Sequence, residues 1–194
     1  MVVLIIVIAL VVLAVLYAVL ERNSMVAARN RVDEAWSGID VQLKRRHDLI
    51  PNLVETVKGY AQHERETLEK VTEARAEAMK AQGPAEASRA ESRLNAVLGD
   101  LRAVAENYPQ LRATENFQQL TANLSELEDE IQAARRIYNS NVQAYNTKIQ
   151  TFPNSLIASR SGFEKRDFFE ITEAAEREAP EVRFTSEAPP TPAS

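Results

Sequence analysis

The chain has no cysteine, and only five glycines and two histidines among its 194 residues. Without thiols there is neither a disulfide framework nor a thiolate metal site, although missing cysteine does not by itself fix a redox compartment. No glycine-rich loop is present to cradle a phosphate. A formal net charge of -5 leaves no general basic face to neutralise a phosphate backbone, so nucleic acid is not an expected partner. With so few glycines, only six phenylalanines and abundant Ala, Glu, Leu and Arg, the composition leans to helix.

The lack of charge is most complete at the start. Residues 1–20, MVVLIIVIALVVLAVLYAVL, contain no charged residue, no Gly and no Pro. As a helix this run reaches roughly 30 Å, about the thickness of bilayer hydrocarbon. A cleaved signal peptide needs a basic leader, an apolar core of only about 7 to 15 residues and a small-residue cleavage site. Here no Lys or Arg precedes the core, the core is longer, and Ala18-Val19-Leu20 ends in a bulky residue. The run is therefore expected to stay in place and cross the lipid bilayer once. Arg22, Arg29 and Arg31 follow it closely, with Lys44, Arg45 and Arg46 further on. That asymmetry predicts a cell-membrane protein with its N-terminus outside and the remaining chain in the cytoplasm. The nearest basic residues are also placed to meet anionic headgroups, though setting topology is their simpler role.

About 174 residues follow, enough for one domain with its own core. Apolar positions at Met25, Val32, Trp36, Ile39, Leu43, Ile50, Leu53, Val57, Tyr60, Val71, Ala74 and Ala78 step largely by three and four, which predicts one amphipathic helix over 25–82. Arg46 and Glu64 interrupt the stripe, and Pro51 predicts a bend between 46 and 51, because proline removes a backbone donor and crowds the carbonyl four residues earlier. Gly83-Pro84 closes this run and opens a second, over 84–106, with Leu94, Val97, Leu98, Leu101 and Val104 on one side. It ends at Asn107-Tyr108-Pro109, since the residue before a proline is pushed out of helical angles. A third run over 111–150 carries Phe117, Leu120, Leu124, Leu127, Ile131, Ala134, Tyr138, Val142, Tyr145 and Ile149 at unbroken steps of three or four. Beyond Phe152-Pro153, Asn154 or Ser155 is suited to cap a short fourth helix, and Phe163, Phe168 and Phe169 offer further apolar contacts.

These patterns predict an all-α chain: an N-terminal transmembrane helix (1–20), an antiparallel up-and-down bundle of three long helices and a short fourth (21–171), and a mobile acidic, Pro-rich tail (172–194). A free-standing coiled coil is the other way to bury the third stripe, but matching stripes in the same chain favour internal packing. A first helix of roughly 85 Å against about 35 Å for the second leaves part of its stripe without an internal partner. Together with the small-residue step Ala14 to Ala18, this predicts a homo-oligomer.

Candidate chemistry is sparse. His63 has no second His four residues on, as a helical zinc-peptidase motif requires, and no Glu stands three residues before His47 or His63, as a di-iron bundle requires. His47 and Asp48 are adjacent with no nucleophile placed beside them, and helical neighbours point about 100° apart. No enzyme activity, metal or cofactor is expected, and a hydrolase built on His47 and Asp48 ranks last. Arg46 is different, because its place on the stripe demands a partner: a carboxylate, or the carbonyls freed by Pro51. Substitution of His47 is expected to cost little. Lys44, Arg45, Arg46, His47 and Asp48 therefore form either a piece of architecture or a docking face. Pro51, Glu64, Tyr108, Pro109, Arg136, Tyr138, Asn139, Tyr145 and Asn146 join them as candidate structural or docking positions, with the Asn residues suited to cross-linking helices or setting register.

The stretch IDVQLKRRHDLIPNLVETVKGYAQHE at residues 39–64 closely resembles the hallmark segment of the LemA family. So do ENYPQL at 106–111, ARRIYNSNVQAYN at 134–146 and FPNSLIA at 152–158. The resemblance runs from the anchor to about Phe169. Two departures are Arg22, where the family tends to have Tyr, and His47, where an aromatic Tyr is usual; the second makes a catalytic His47 less attractive. Resemblance implies a bacterial single-span membrane protein with a helical-bundle domain and no established reaction. It further implies scaffold or accessory roles at the membrane, in some members beside a membrane metallopeptidase. The function expected for this chain is a noncatalytic scaffold or interaction module, with an accessory factor of a membrane protease or envelope-stress system as the alternative.

Overall fold

A computed structural model describes residues 1–170, and among them there are helices and no strands. The tail expected over 172–194 lies outside the described residues. Helix α1 (Val2–Lys58) runs without interruption from the apolar stretch into the bundle, 57 residues or roughly 85 Å. Its first part, apolar and unburied, is long and apolar enough to cross a membrane. From Met25 onward the same helix turns a buried stripe inward: Met25, Ala28, Val32, Ile39, Leu43, Ile50, Leu53 and Val57.

Pro51 sits inside α1 and does not end it. The predicted helix over 25–82 breaks later, at residues 59–64, where Gly59 follows the last turn and Tyr60 and Ala61 bond back to the Val57 carbonyl. The reversal sends α2 (Arg65–Ala78) back along α1, so that Leu68, Val71, Ala74 and Ala78 join the core instead of extending beyond it. Gly83 takes the left-handed angle expected of it, φ +73°, five residues after the end of α2 at Ala78, with Pro84 in the first turn of α3 (Gly83–Glu106). Pro109 likewise opens a helix, the single turn α4 (Pro109–Arg112), before α5 (Glu115–Gln150). The Thr114 hydroxyl caps α5 by accepting from the Phe117 N–H at 3.4 Å. After a turn, α6 (Asn154–Arg160) starts behind Pro153 with no side-chain cap, so neither Asn154 nor Ser155 takes the expected role.

Cross-contacts set the directions. Arg75 of α2 meets His47 of α1, and Arg93 of α3 meets Glu77 of α2. Glu128 near the middle of α5 meets Arg46, while Lys148 at its end meets Ser24 and Glu21. The result is an up-down-up-down bundle of α1, α2, α3 and α5. Because α5 runs down the full bundle length of α1, the apolar stripe of α1 is covered from Met25 to Val57. The uncovered stretch expected from helix lengths is therefore absent, because α5, not the second run, is the main partner of α1.

Two apolar clusters are stacked along the bundle. The distal one is built from the end of α1, from α2, α3 and α4, and from the start of α5, around Leu94, Leu101 and Leu111. The other, nearer the apolar N-terminal run, lies where α2 and most of α3 do not reach. There α1 and α5 alone leave one side open, and α6 with residues 163–170 closes it through Ala158 and Phe169.

Candidate functional site

Between the two apolar clusters lies a buried charged layer. Arg46 falls on the inward stripe of α1, between Leu43 of one cluster and Ile50 of the other, and is only 5% exposed. Its guanidinium donates to Glu91 Oε2 of α3 at 3.2 Å and lies 3.4 Å from Glu128 Oε2 of α5; it also bonds Asn95 Oδ1. Glu91, 1% exposed, turns its other oxygen to His47 Nε2 at 2.6 Å. Glu91 thus ties two successive residues of α1, which reach it from either side although their side chains start about 100° apart. His47 is 6% exposed and engaged, in place of the outward side chain whose substitution would cost little. A cavity of about 20 Å3 beside Arg46, Leu98 and Glu128 is the size of one water.

Arg46 finds carboxylates, the first of its two predicted kinds of partner. The carbonyl freed by Pro51 is that of His47, four residues earlier, and it accepts instead from Arg75 Nε at 2.7 Å. A proline in mid-helix is tolerated because a cation on the neighbouring helix replaces the missing N–H. Lys44, Arg45 and Asp48 face outward, and Arg45 reaches no further than Gln42 at 3.4 Å. The five-residue segment is thus divided, with Arg46 and His47 inside and the other three on the surface. Asp48 does not stand behind His47 as a catalytic carboxylate would. Among the described residues no three His, Asp or Glu side chains converge as metal ligands. Glu64 stands at the start of α2, 3.5 Å from the Tyr108 hydroxyl, while Pro109 and Arg136 are exposed.

The second polar constellation lines α5. Asn146 bonds both ways with the main chain of Arg166, Nδ2 to the carbonyl at 2.9 Å and Oδ1 from the N–H at 2.9 Å. Asn139 does the same with Phe169, both at 3.0 Å. The Tyr145 hydroxyl donates to the Glu164 carbonyl at 2.9 Å and that of Tyr138 to the Asp167 carbonyl at 2.8 Å. Both pairs advance seven residues on α5 for three on the segment 163–170, the strap. Seven helical residues rise about 10.5 Å and three extended residues about 10 Å, so residues 163–170 run extended and antiparallel to α5 in a matching register. Burial pushes the Tyr138 hydroxyl up to about 12 and raises that of Tyr145. Phe169, fully buried, meets Trp36 edge-on with ring centres 5.4 Å apart, and Arg29 lies over the Phe163 ring. At Glu170, the last described residue, the strap lies against the first part of α3, with its N–H on the Ser88 hydroxyl at 3.0 Å.

Sequence reasoning missed Glu91, Asn95, Glu128 and Arg75. Glu91 had a signal: it lies three residues before Leu94, on the inward side of the second run, as Arg46 lies on the inward side of the first. Two opposite charges on two facing stripes are a pair. The role of Asn139 and Asn146 is to hold main chain, not to join helices.

Comparison with known proteins places this geometry in a family. Protein LemA of Metamycoplasma hominis is 29% identical over 157 residues, covering 79% of this chain and 70% of its own length. Magnetosome protein MamQ 2 of Paramagnetospirillum magneticum is 24% identical over 174 residues, covering 76% of this chain and 64% of its own. Magnetosome protein MamQ of Magnetospirillum gryphiswaldense is 22% identical over 173 residues, with the same coverage. The chain thus spans somewhat under two thirds of the magnetosome relatives. The sequence profile of the LemA family matches residues 35–184, from the turn of α1 that carries Trp36, through the charged layer and the strap, and the chain belongs to the LemA family.

Proposed function

We propose that this protein is a noncatalytic, membrane-anchored interaction module whose bundle displays a docking surface on the cytoplasmic side of the cell membrane. The observation that carries this reading is the charged layer: Arg46, His47, Glu91 and Glu128 satisfy one another in the interior, beside a space no larger than one water. Groups arranged in this way hold helices in register, and a substrate would have to break them apart to be reached. The apolar N-terminal run supplies the anchor, crossing once, and the basic residues after it keep the bundle in the cytoplasm. Lys44, Arg45 and Asp48, turned outward over the layer, offer a charged face that can change without disturbing the fold. Self-association is the simplest assembly, with Ala14 and Ala18 giving the spanning segments a close-packing face.

The test is cross-linking in native membranes followed by affinity purification in mild detergent, for the full chain and for Lys44→Glu with Arg45→Glu. Retention in alkali-washed membranes, together with a stoichiometric assembly of copies or with a membrane protein that the double variant loses, is the expected result. A metallopeptidase among the captured proteins would make the role accessory to proteolysis. A monomer with nothing bound at stoichiometric yield, or extraction by alkali alone, would overturn the reading.

A further inference from the structure

The corner between α5 and α6 lies at the level of the membrane run, not of the bundle. Tyr17 stands three residues before the end of the uncharged stretch, about 4.5 Å inside its boundary at Leu20, and its hydroxyl donates to Asn154 Oδ1 at 3.1 Å. Lys148, in the last turn of α5, contacts Ser24 Oγ at 2.6 Å and Glu21 Oε2 at 3.2 Å. From that level α5 descends through Gln150, turns, and α6 climbs back to bury Ala158 in the apolar cluster that also holds Met25 and Ala28. The lowest part of the bundle is therefore Phe152 and Pro153 with the first turn of α6. Two large apolar side chains are uncovered there, Phe152 at 77% exposed and Leu156 at 63%, beside the polar Asn154 and Ser155. Exposed Arg22 on α1 and Arg160, about 9 Å further along α6, stand above them, where phosphates would lie.

We infer that the α5–α6 corner is a second membrane contact, with Phe152 and Leu156 seated in the interfacial layer of the bilayer that α1 crosses. The inference rests on the anchoring role proposed for α1. What it adds is the occupant of this apolar patch: lipid, because the patch is continuous with the spanning run and is bonded to a residue within it. An aromatic side chain at the headgroup boundary, backed by cations, is the arrangement that membrane interfaces favour. The bundle is then held upright by two points, the helix and the corner, and does not swing on one.

The absence of cysteine lets a single environment-sensitive label be placed at Phe152→Cys, Leu156→Cys, Leu10→Cys or Ile137→Cys in the full chain, reconstituted in vesicles of phosphatidylcholine and phosphatidylglycerol. Ile137 is the control, 61% exposed on α5 roughly 20 Å above the corner. Nitroxide lipids labelled near the headgroup are expected to quench positions 152 and 156, with aqueous iodide reaching them several-fold less than position 137, while deep nitroxides quench position 10. If position 10 is quenched but 152 and 156 are as open to iodide as 137, the corner does not touch lipid and the inference is overturned while the anchor stands. If position 10 also escapes the lipid quenchers, the anchor reading falls and this one with it.

Discussion

Truncating Arg46 tests whether the charged layer is architecture. The side chain is nearly enclosed, and its removal leaves Glu91, the more deeply buried partner, with only His47 for company. Breaking a buried ion pair from one side costs about 3 to 5 kcal/mol, most of it the penalty on the charge left behind. For a chain of this size that is a fall in Tm of about 6 to 20 °C. Arg46→Ala and Glu91→Ala should each show it in urea or thermal unfolding of the full chain in mild detergent, read by the single tryptophan, Trp36. Arg46→Met combined with Glu91→Met should cost less than either truncation, because the two most deeply buried charges leave together, and of their other partners Glu128 is part-exposed and His47 loses a single contact. His47→Ala removes one contact and should cost about 1 to 3 kcal/mol. An unchanged midpoint for Arg46→Ala, or a double variant as unstable as the sum of the singles, would refute the reasoning.

Asn139→Ala and Asn146→Ala each delete a two-bond grip on the strap, and should raise hydrogen exchange at the Phe169 and Arg166 amides respectively by about 5- to 150-fold, for a loss of about 1 to 3 kcal/mol; equal rates would mean that the aromatic contacts hold the strap alone. Tyr138 donates to the strap only while protonated, and its folded value of about 12 lies above the ordinary 10. Its contribution is therefore complete below pH 10 and lost as pH rises through 12, which phenolate absorbance against Tyr138→Phe will show; titration of Tyr138 at or below 10 would contradict its burial. Arg75→Ala removes the cation that satisfies the His47 carbonyl and should cost about 1.5 to 3 kcal/mol, but distinctly less in a Pro51→Ala background, where the helix supplies its own N–H. Equal costs in the two backgrounds, by denaturant unfolding, would show that Arg75 and Pro51 are not coupled.

The stripes of α1, α3 and α5 were legible because each turns one apolar row onto the others, and the third run was legible to within a turn. The break at residues 59–64 was not, although the spacing carried a sign of it: no apolar residue of the first stripe lies between Tyr60 and Val71. A periodicity argument bridges such a gap, since both sides fit a helical step, while the chain there satisfies its carbonyls in a tight turn and reverses. Pro51 drew attention as the expected bend, yet a long-range bond from Arg75 repairs the site that it disrupts. Such a bond is invisible in local sequence. The need of Arg46 for a partner could be read; the identity of Glu91 could have been, by asking which facing stripe carries the opposite charge.

The strap shows how a polar motif can be recognised without its purpose being read. Tyr138, Asn139, Tyr145 and Asn146 repeat at seven residues, the spacing that keeps a helix face in line, and that spacing suits a partner helix and an extended chain equally well. What separates the two is the kind of group presented. A helix has spent its main-chain donors and acceptors internally and offers only side chains, whereas an extended segment presents an N–H and a carbonyl at every residue. Asn, with one acceptor and a donor pair on a rigid amide, matches a single residue of extended chain in both senses, as at Arg166 and Phe169. Two such amides at heptad spacing, each beside a tyrosine that donates to a further carbonyl, therefore specify an extended guest. Because these bonds read main chain, side-chain choice along the strap is left to other contacts: the aromatic pocket of Trp36 and Tyr138 around Phe169, Arg29 over Phe163, and Asp33 at 3.0 Å from the Arg166 guanidinium. Phe169, buried in that pocket, is then the position at which strap sequence is most constrained, whereas exposed Phe168, like Glu164, Lys165 and Asp167, is freer to vary.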